Sequence, residues 1–267
     1  MPPQAYNGRI KGRIKDTPTL CAPGQPARPD FFTGVGPGDC PQDFGPANFA
    51  RSVYAARLQA IIPRMLAKLM SLFLLGLIRA LTGAQARWQG CPPKAEQRIY
   101  FANHQSHADL VLMWAALPAE LRSITRPIAA RDYWTKTPFK QWLTTAVFNA
   151  IYVDRIKTGE QDPLEPLMEA LGNGDSIILF PEGTRGNQEE PQNFKSGLYN
   201  LAQKFPHVVL VPAWINNVQR VMPKGEVVPV PILCSVTFGA PIAVAAQEAR
   251  IDFLIRARQA VLDLRET

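Results

Sequence analysis

Histidine is nearly missing from this chain of 267 residues, which has three: His104, His107 and His207. Chemistry that needs an imidazole is therefore confined to the stretch NHQSHADL, Asn103–Leu110, or to KFPHVVL about a hundred residues on. Charge is sparse too, at 19% of residues against the usual quarter. It is biased, however: 29 basic and 22 acidic residues leave a net charge of +7, which suits an anionic partner. The sequence has no RNP run, zinc-finger spacing or basic zipper, and its basic residues are scattered, which argues against nucleic acid. The four cysteines lie far apart with no C-x-x-C pair. That excludes a disulfide framework and a cysteine zinc site, so a reducing, cytosolic compartment is expected. No internal repeat is present, and no G-x-S-x-G elbow announces a serine nucleophile.

What is abundant at the start is proline and glycine. The first fifty residues hold nine prolines and seven glycines, and such a segment buries too little apolar surface to offset its ordering entropy. Residues 1–60 are expected to be a disordered extension. The alternative is a start codon assigned too far upstream, with Met65 or Met70 as the first residue. No apolar h-region follows the early basic residues, so no signal peptide is expected in this stretch. Residues 61–90 change character, reading PRMLAKLMSLFLLGLIRALTG from Pro63. Lys68 and Arg79 bracket the run LMSLFLLGLI, about half of the ~20 residues a spanning helix needs. A helix lying in the membrane interface with snorkelling cations is expected, with a core helix, or a true span whose flanking charges move toward the headgroups, as the competing readings.

From residue 91 onward β-rich runs alternate with helical ones. RIYFA (98–102), SITRPIAA, AIYVDR, SIILF, HVVLVPAWI and LCSVTFGAPI read as strands. Helices are expected from Ser106 to Leu117, over YWTKTPFKQWLTTAVF, PLEPLMEALGNG and FKSGLYNLAQKF, and at the C-terminus. The alternation predicts an α/β fold with a mixed, mainly parallel sheet flanked by helices. In such sheets, polar residues just beyond a strand's C-terminal end face the ligand crevice.

Two stretches sit at such ends. His104 follows RIYFA directly, and Ser106 with Asp109 matches a capping box that would start the next helix at Ser106. Asp109 is thus either a cap or the partner that fixes the tautomer of His104 and leaves its other nitrogen as a base. His107 falls inside the expected helix and reaches the crevice less easily. A metal reading, H-x-x-H-x-D, lacks further downstream ligands, so no metal is expected. The second stretch is LFPEGTRG, Leu179–Gly186, where a strand stops at proline. Gly183 allows close backbone approach, and Glu182, Thr184 and Arg185 surround it. A guanidinium beside backbone N–H groups and a hydroxyl suits a phosphate monoester, whereas a solvated surface turn is the plainer alternative.

Together these stretches resemble the 1-acylglycerol-3-phosphate acyltransferase (PlsC-like) family. Asn103-His104 to Asp109 fits its NH-x4-D motif, and Phe180–Arg185 fits its FPEGTR motif, in the family's order with about seventy residues between. Tyr152-Val153-Asp154-Arg155 and Val211-Pro212 resemble two weaker blocks. The resemblance covers roughly residues 65–265 and makes residues 91–267 the catalytic domain, with a glycerolipid acyltransferase-like fold. It implies transfer of a fatty acyl group from an acyl-CoA or acyl-carrier-protein thioester to a lysophospholipid hydroxyl. Lysophosphatidic acid, giving phosphatidic acid, is the expected acceptor. Another lysophospholipid, an aminolipid, or a silent lipid-binding role are the alternatives. His104 is implied as general base and Asp109 as its orienting partner. Glu182, Gly183, Thr184 and Arg185 are implied as the acceptor-binding loop, with Arg155 as a second cation. No cofactor beyond the donor thioester is implied. The expected setting is the cytoplasmic face of the inner cell membrane, with peripheral or monotopic attachment. Trp214 departs from the family's second proline and is expected to alter acceptor or acyl-chain preference. Lys195 is a further candidate anion contact, and the segment from Arg220 to Ile232 reads as an inserted loop.

Overall fold

Strands buried on both faces are largely apolar, and the centre of this molecule reads that way, with Arg98 a buried charged exception. In RIYFA all five residues are buried, and in VLVPAWIN the middle six are. The structure is a computed structural model that describes residues 46–106, 108–154, 162–186, 190–216 and 233–265, with residues 46–60 described as helix backbone. Contacts divide the chain into two units, of which Ala55–Thr267 holds the whole sheet.

The strands are β1 (Gln85–Trp88), β2 (Arg98–Ala102), β3 (Thr125–Ala130), β4 (Ile151–Val153), β5 (Ser176–Leu179), β6 (Val209–Asn216) and β7 (Ser235–Phe238). They form one seven-stranded sheet in the order β1-β7-β6-β2-β5-β3-β4. The five from β6 to β4 are parallel; β7 pairs antiparallel with β6, and β1 pairs parallel with β7. The expected mixed, mainly parallel sheet is therefore present, and β1 is an addition to it. Its residues 85–87 are exposed, so its sequence carries no burial pattern to betray it.

Around the sheet lie α1 (Pro46–Thr82), α2 (Asp109–Ala116), α3 (Ala119–Ser123), α4 (Arg131–Trp134), α5 (Pro138–Trp142), α6 (Glu165–Gly172), α7 (Gly197–Lys204) and α8 (Arg250–Leu262). Alternate β2 side chains point to opposite faces. Tyr100 and Ala102 join one apolar cluster with α2, and Ile99 and Phe101 join a second with α6, α7 and α8. Leu74, Leu75 and Ile78 of α1 pack on the first cluster.

Three expectations change. α1 begins at Pro46, inside the segment expected to be unstructured up to residue 60, while residues 1–45 lie outside the described residues. The apolar stretch of α1 is also longer than the run LMSLFLLGLI: Ile61–Thr82 spans 22 residues with mean hydropathy 1.9, long and apolar enough to cross a membrane. Finally, the helix expected over YWTKTPFKQWLTTAVF is broken into α4, α5 and a π-turn at Leu143–Val147. The break is physical. Pro138 cannot continue a helix but starts one well, and the Thr137 hydroxyl accepts the Lys140 N–H as its N-cap. The inserted loop from Arg220 lies outside the described residues.

Candidate active site

β2 and β5 are neighbours in parallel, with Phe101 opposite Leu179, so the two motifs leave the sheet at the same level. That register brings residues some eighty positions apart in sequence into one crevice at the C-terminal edge.

His104 leaves β2 in a short turn. Its Nδ1 lies 2.8 Å from Asp109 Oδ2. Asp109 is only 1% exposed, and the same oxygen accepts the backbone N–H groups of Gln105 at 2.6 Å and Ser106 at 2.8 Å. Asp109 is thus the partner of His104, and it also holds the backbone of the turn before the helix. Helix α2 starts at Asp109, not Ser106, and its N-cap Ala108 offers no side-chain bond, so the carboxylate reaches back to the turn instead. In a neutral ring, an acceptor oxygen at Nδ1 places the proton there and the lone pair on Nε2. Phe180 stacks on the imidazole, centroids 4.4 Å apart and planes 18° apart, which sets the ring's orientation.

The second motif closes over the first. Glu182 is buried, its Oε1 accepting the His104 N–H at 2.7 Å and its Oε2 the Gln192 N–H at 2.8 Å. Burial pushes its carboxyl above the ordinary value, against those two donors, which favour the charged form. The Gly186 N–H donates to the His104 carbonyl at 2.8 Å. Gly183 has φ +72°, a left-handed conformation that favours glycine. A Cβ there would stand 2.6 Å from Lys195 Nζ, so the Lys195 side chain lies along the glycine. Thr184 and Arg185 are exposed and line a cavity of about 190 Å³ beside His104. The inner wall is apolar, made by residues such as Ile128, Val153, Leu164, Leu167 and Leu179.

The structure thus brings His104, Asp109, Glu182, Gly183, Thr184 and Arg185 together. Arg155 and His107 lie outside the described residues. Among the described residues, no three His, Cys, Asp or Glu side chains gather as a metal site would require. Trp214 does not line the cavity: it is buried in the second cluster, on the far side from His104's stacking partner. Sequence reasoning missed a role for Asn103. Its buried amide donates to the Ile215 carbonyl at 3.1 Å and accepts the Ile215 N–H at 2.8 Å, tying the end of β2 to β6. The Phe180 stack was missed as well, although both residues sit inside the quoted motifs.

The acyltransferase family model matches residues 89–216, which contain every one of these site residues. Residues 89–216 are thus similar to the acyltransferase family. Among its relatives, the human 1-acyl-sn-glycerol-3-phosphate acyltransferase alpha is 30% identical over 165 residues, 60% of this chain and 55% of that protein. The chloroplastic 1-acyl-sn-glycerol-3-phosphate acyltransferase LPAT1 of Arabidopsis thaliana is 27% identical over 139 residues, 52% of this chain and 37% of that one. The chain therefore spans about half the length, or less, of these curated relatives. The crystal structure of the 1-acyl-sn-glycerophosphate acyltransferase PlsC from Thermotoga maritima superposes with a TM-score of 0.57 at 22% identity, covering 81% of this chain and 88% of that one, so the fold is shared.

Proposed function

We propose that this chain transfers a fatty acyl group from an acyl-CoA or acyl-carrier-protein thioester to the free hydroxyl of a lysophospholipid, with lysophosphatidic acid as acceptor. One observation carries the reading: an imidazole locked to a buried carboxylate stands at the mouth of an apolar cavity whose rim holds an exposed arginine. His104 Nε2 removes the acceptor's hydroxyl proton as that oxygen attacks the thioester carbonyl. Asp109 stabilises the imidazolium that forms. Collapse of the tetrahedral intermediate expels the thiolate, which takes the proton back from His104, and no covalent acyl-enzyme is required. The apolar wall suits an acyl chain and Arg185 a phosphate. The names of the relatives, which specify 1-acyl-sn-glycerol-3-phosphate, support this acceptor over other lysophospholipids or aminolipids. The apolar helix α1 and the net charge of +7 support a site of action at an anionic membrane, on its cytoplasmic face.

The test is acyl transfer from radiolabelled acyl-CoA, then acyl carrier protein, to a panel of lysophospholipids, comparing wild type with His104→Ala. Transfer to lysophosphatidic acid that disappears in the variant is expected. Transfer to a different acceptor would move the substrate and keep the base. Activity that survives His104→Ala would overturn the mechanism, and no turnover with any pair would leave a silent lipid binder.

A further inference from the structure

We propose that Glu182 is a positioning residue, which holds the peptide of the base His104, and that it does not bind the acceptor although it sits within the acceptor loop. Both of its carboxylate oxygens are already used. Oε1 accepts the His104 N–H at 2.7 Å, and Oε2 accepts the Gln192 N–H at 2.8 Å. Only 2% of the residue is exposed, and it is not part of the cavity wall that Gly183, Thr184 and Arg185 help to form. Four residues on, the Gly186 N–H donates to the carbonyl of the same His104 at 2.8 Å. Both backbone polar groups of His104 are thus gripped by one loop. The loop is tight at Gly186, where a Cβ would come to 3.3 Å from Glu182 Oε2.

Charge supports the same assignment. A loop that receives a phosphate gains nothing from an anionic side chain facing the ligand, since like charges at close range repel. A carboxylate consumed by two backbone donors is compatible with a neighbouring anion site, because it is turned inward and its charge is partly neutralised. Three restraints then fix the catalytic imidazole: Asp109 at Nδ1, Phe180 against the ring face, and Glu182 with Gly186 on the backbone. Loosening the last lets Nε2 drift from its line of attack, and a displacement of ~1 Å can cost about a hundredfold in rate.

This inference rests on the proposed reaction for its kinetic arm and is independent of it for its spectroscopic arm. Glu182→Gln presents an amide N–H to one of the two donors and loses that bond; Glu182→Asp keeps the charge but falls short of both. In each, kcat is expected to drop about 10- to 100-fold with acceptor KM within about twofold, whereas Arg185→Ala should raise acceptor KM. The imidazole nitrogen resonances of His104, assigned by their loss in His104→Ala, are expected to shift in both Glu182 variants and to stay in place in Arg185→Ala. A rise in acceptor KM at unchanged kcat in the Glu182 variants would make the residue an acceptor ligand and overturn the proposal. Unmoved His104 resonances would overturn it too, even if no acceptor supports turnover. Should Glu182→Gln fail to fold, Glu182→Asp carries both readouts.

Discussion

At the scale of single residues, the site depends on bonds that residue types alone do not reveal. Asp109 Oδ2 serves three donors at once, so its loss is felt twice. Asp109→Asn is expected to lower kcat about 10²- to 10⁴-fold by disturbing the tautomer of His104. It should also lower stability by about 1–3 kcal/mol, because two backbone N–H groups face an amide that can satisfy only part of them. Steady-state kinetics and a denaturant titration check the two effects separately. Gly183→Ala tests the loop's conformation: at φ +72° a Cβ costs about 1–2 kcal/mol, and the Lys195 side chain must move aside. A lower unfolding midpoint with reduced activity is the expected result. That His104, Asp109 and Arg185 would gather at one crevice was readable from sequence, because their motifs directly follow two strands. The burial of Glu182 and Trp214 was not, since sequence shows that a carboxylate or an indole is present, and the fold decides which way it faces. Trp214 faces the interior, packed with Phe253 and Ile99 in the second cluster.

Among the elements, the helix that begins the described chain has two faces of unlike fate. Leu74, Leu75 and Ile78 pack on the sheet's first cluster, while Ile62, Met65, Leu69, Leu72 and Phe73 are each more than half exposed. Deleting α1 would therefore uncover core as well as remove the apolar face, and the cleaner test is substitution. Leu69→Glu with Phe73→Glu is expected to shift the protein from the vesicle pellet to the supernatant without lowering its unfolding midpoint. Retention on anionic vesicles would sink the membrane role of this face. The strands were legible where both faces are buried, as in RIYFA and SIILF, because continuous apolar runs have one reading once helices flank them. β1 was illegible for the opposite reason, being an exposed edge strand of four residues. The start of α2 moved by three residues because the capping signal at Ser106 was answered by Asp109's bond to the turn, which shapes a loop in place of a first helical turn.

Across the whole molecule, the sheet's two apolar clusters meet at the cavity, which draws Leu110, Trp134 and Phe180 from the first and Leu164, Leu167 and Leu179 from the second. A ring placed in this space should exclude the ends of long chains: Ala130→Phe is expected to shift donor preference toward shorter acyl groups, read as the ratio of kcat/KM for two chain lengths. An unchanged ratio would place the acyl chain elsewhere. The Asn103 amide, meanwhile, replaces a pair of strand hydrogen bonds between β2 and β6. Asn103→Ala strands the Ile215 N–H and carbonyl in the interior, at a cost of about 1–3 kcal/mol in a urea melt.

That same amide, with the loop that grips His104, ties the order of assembly to the order of synthesis. His104 is made early, yet its backbone partners arrive with Glu182 and Gly186, and its neighbour Asn103 finds Ile215 only 112 residues later. Contacts so distant along the chain form late, after the loop-closure entropy between them has been met. A nascent chain released from the ribosome's tunnel as far as the FPEGTR segment would hold every group the chemistry names and still be inert, waiting for β6 to slot in beside β2.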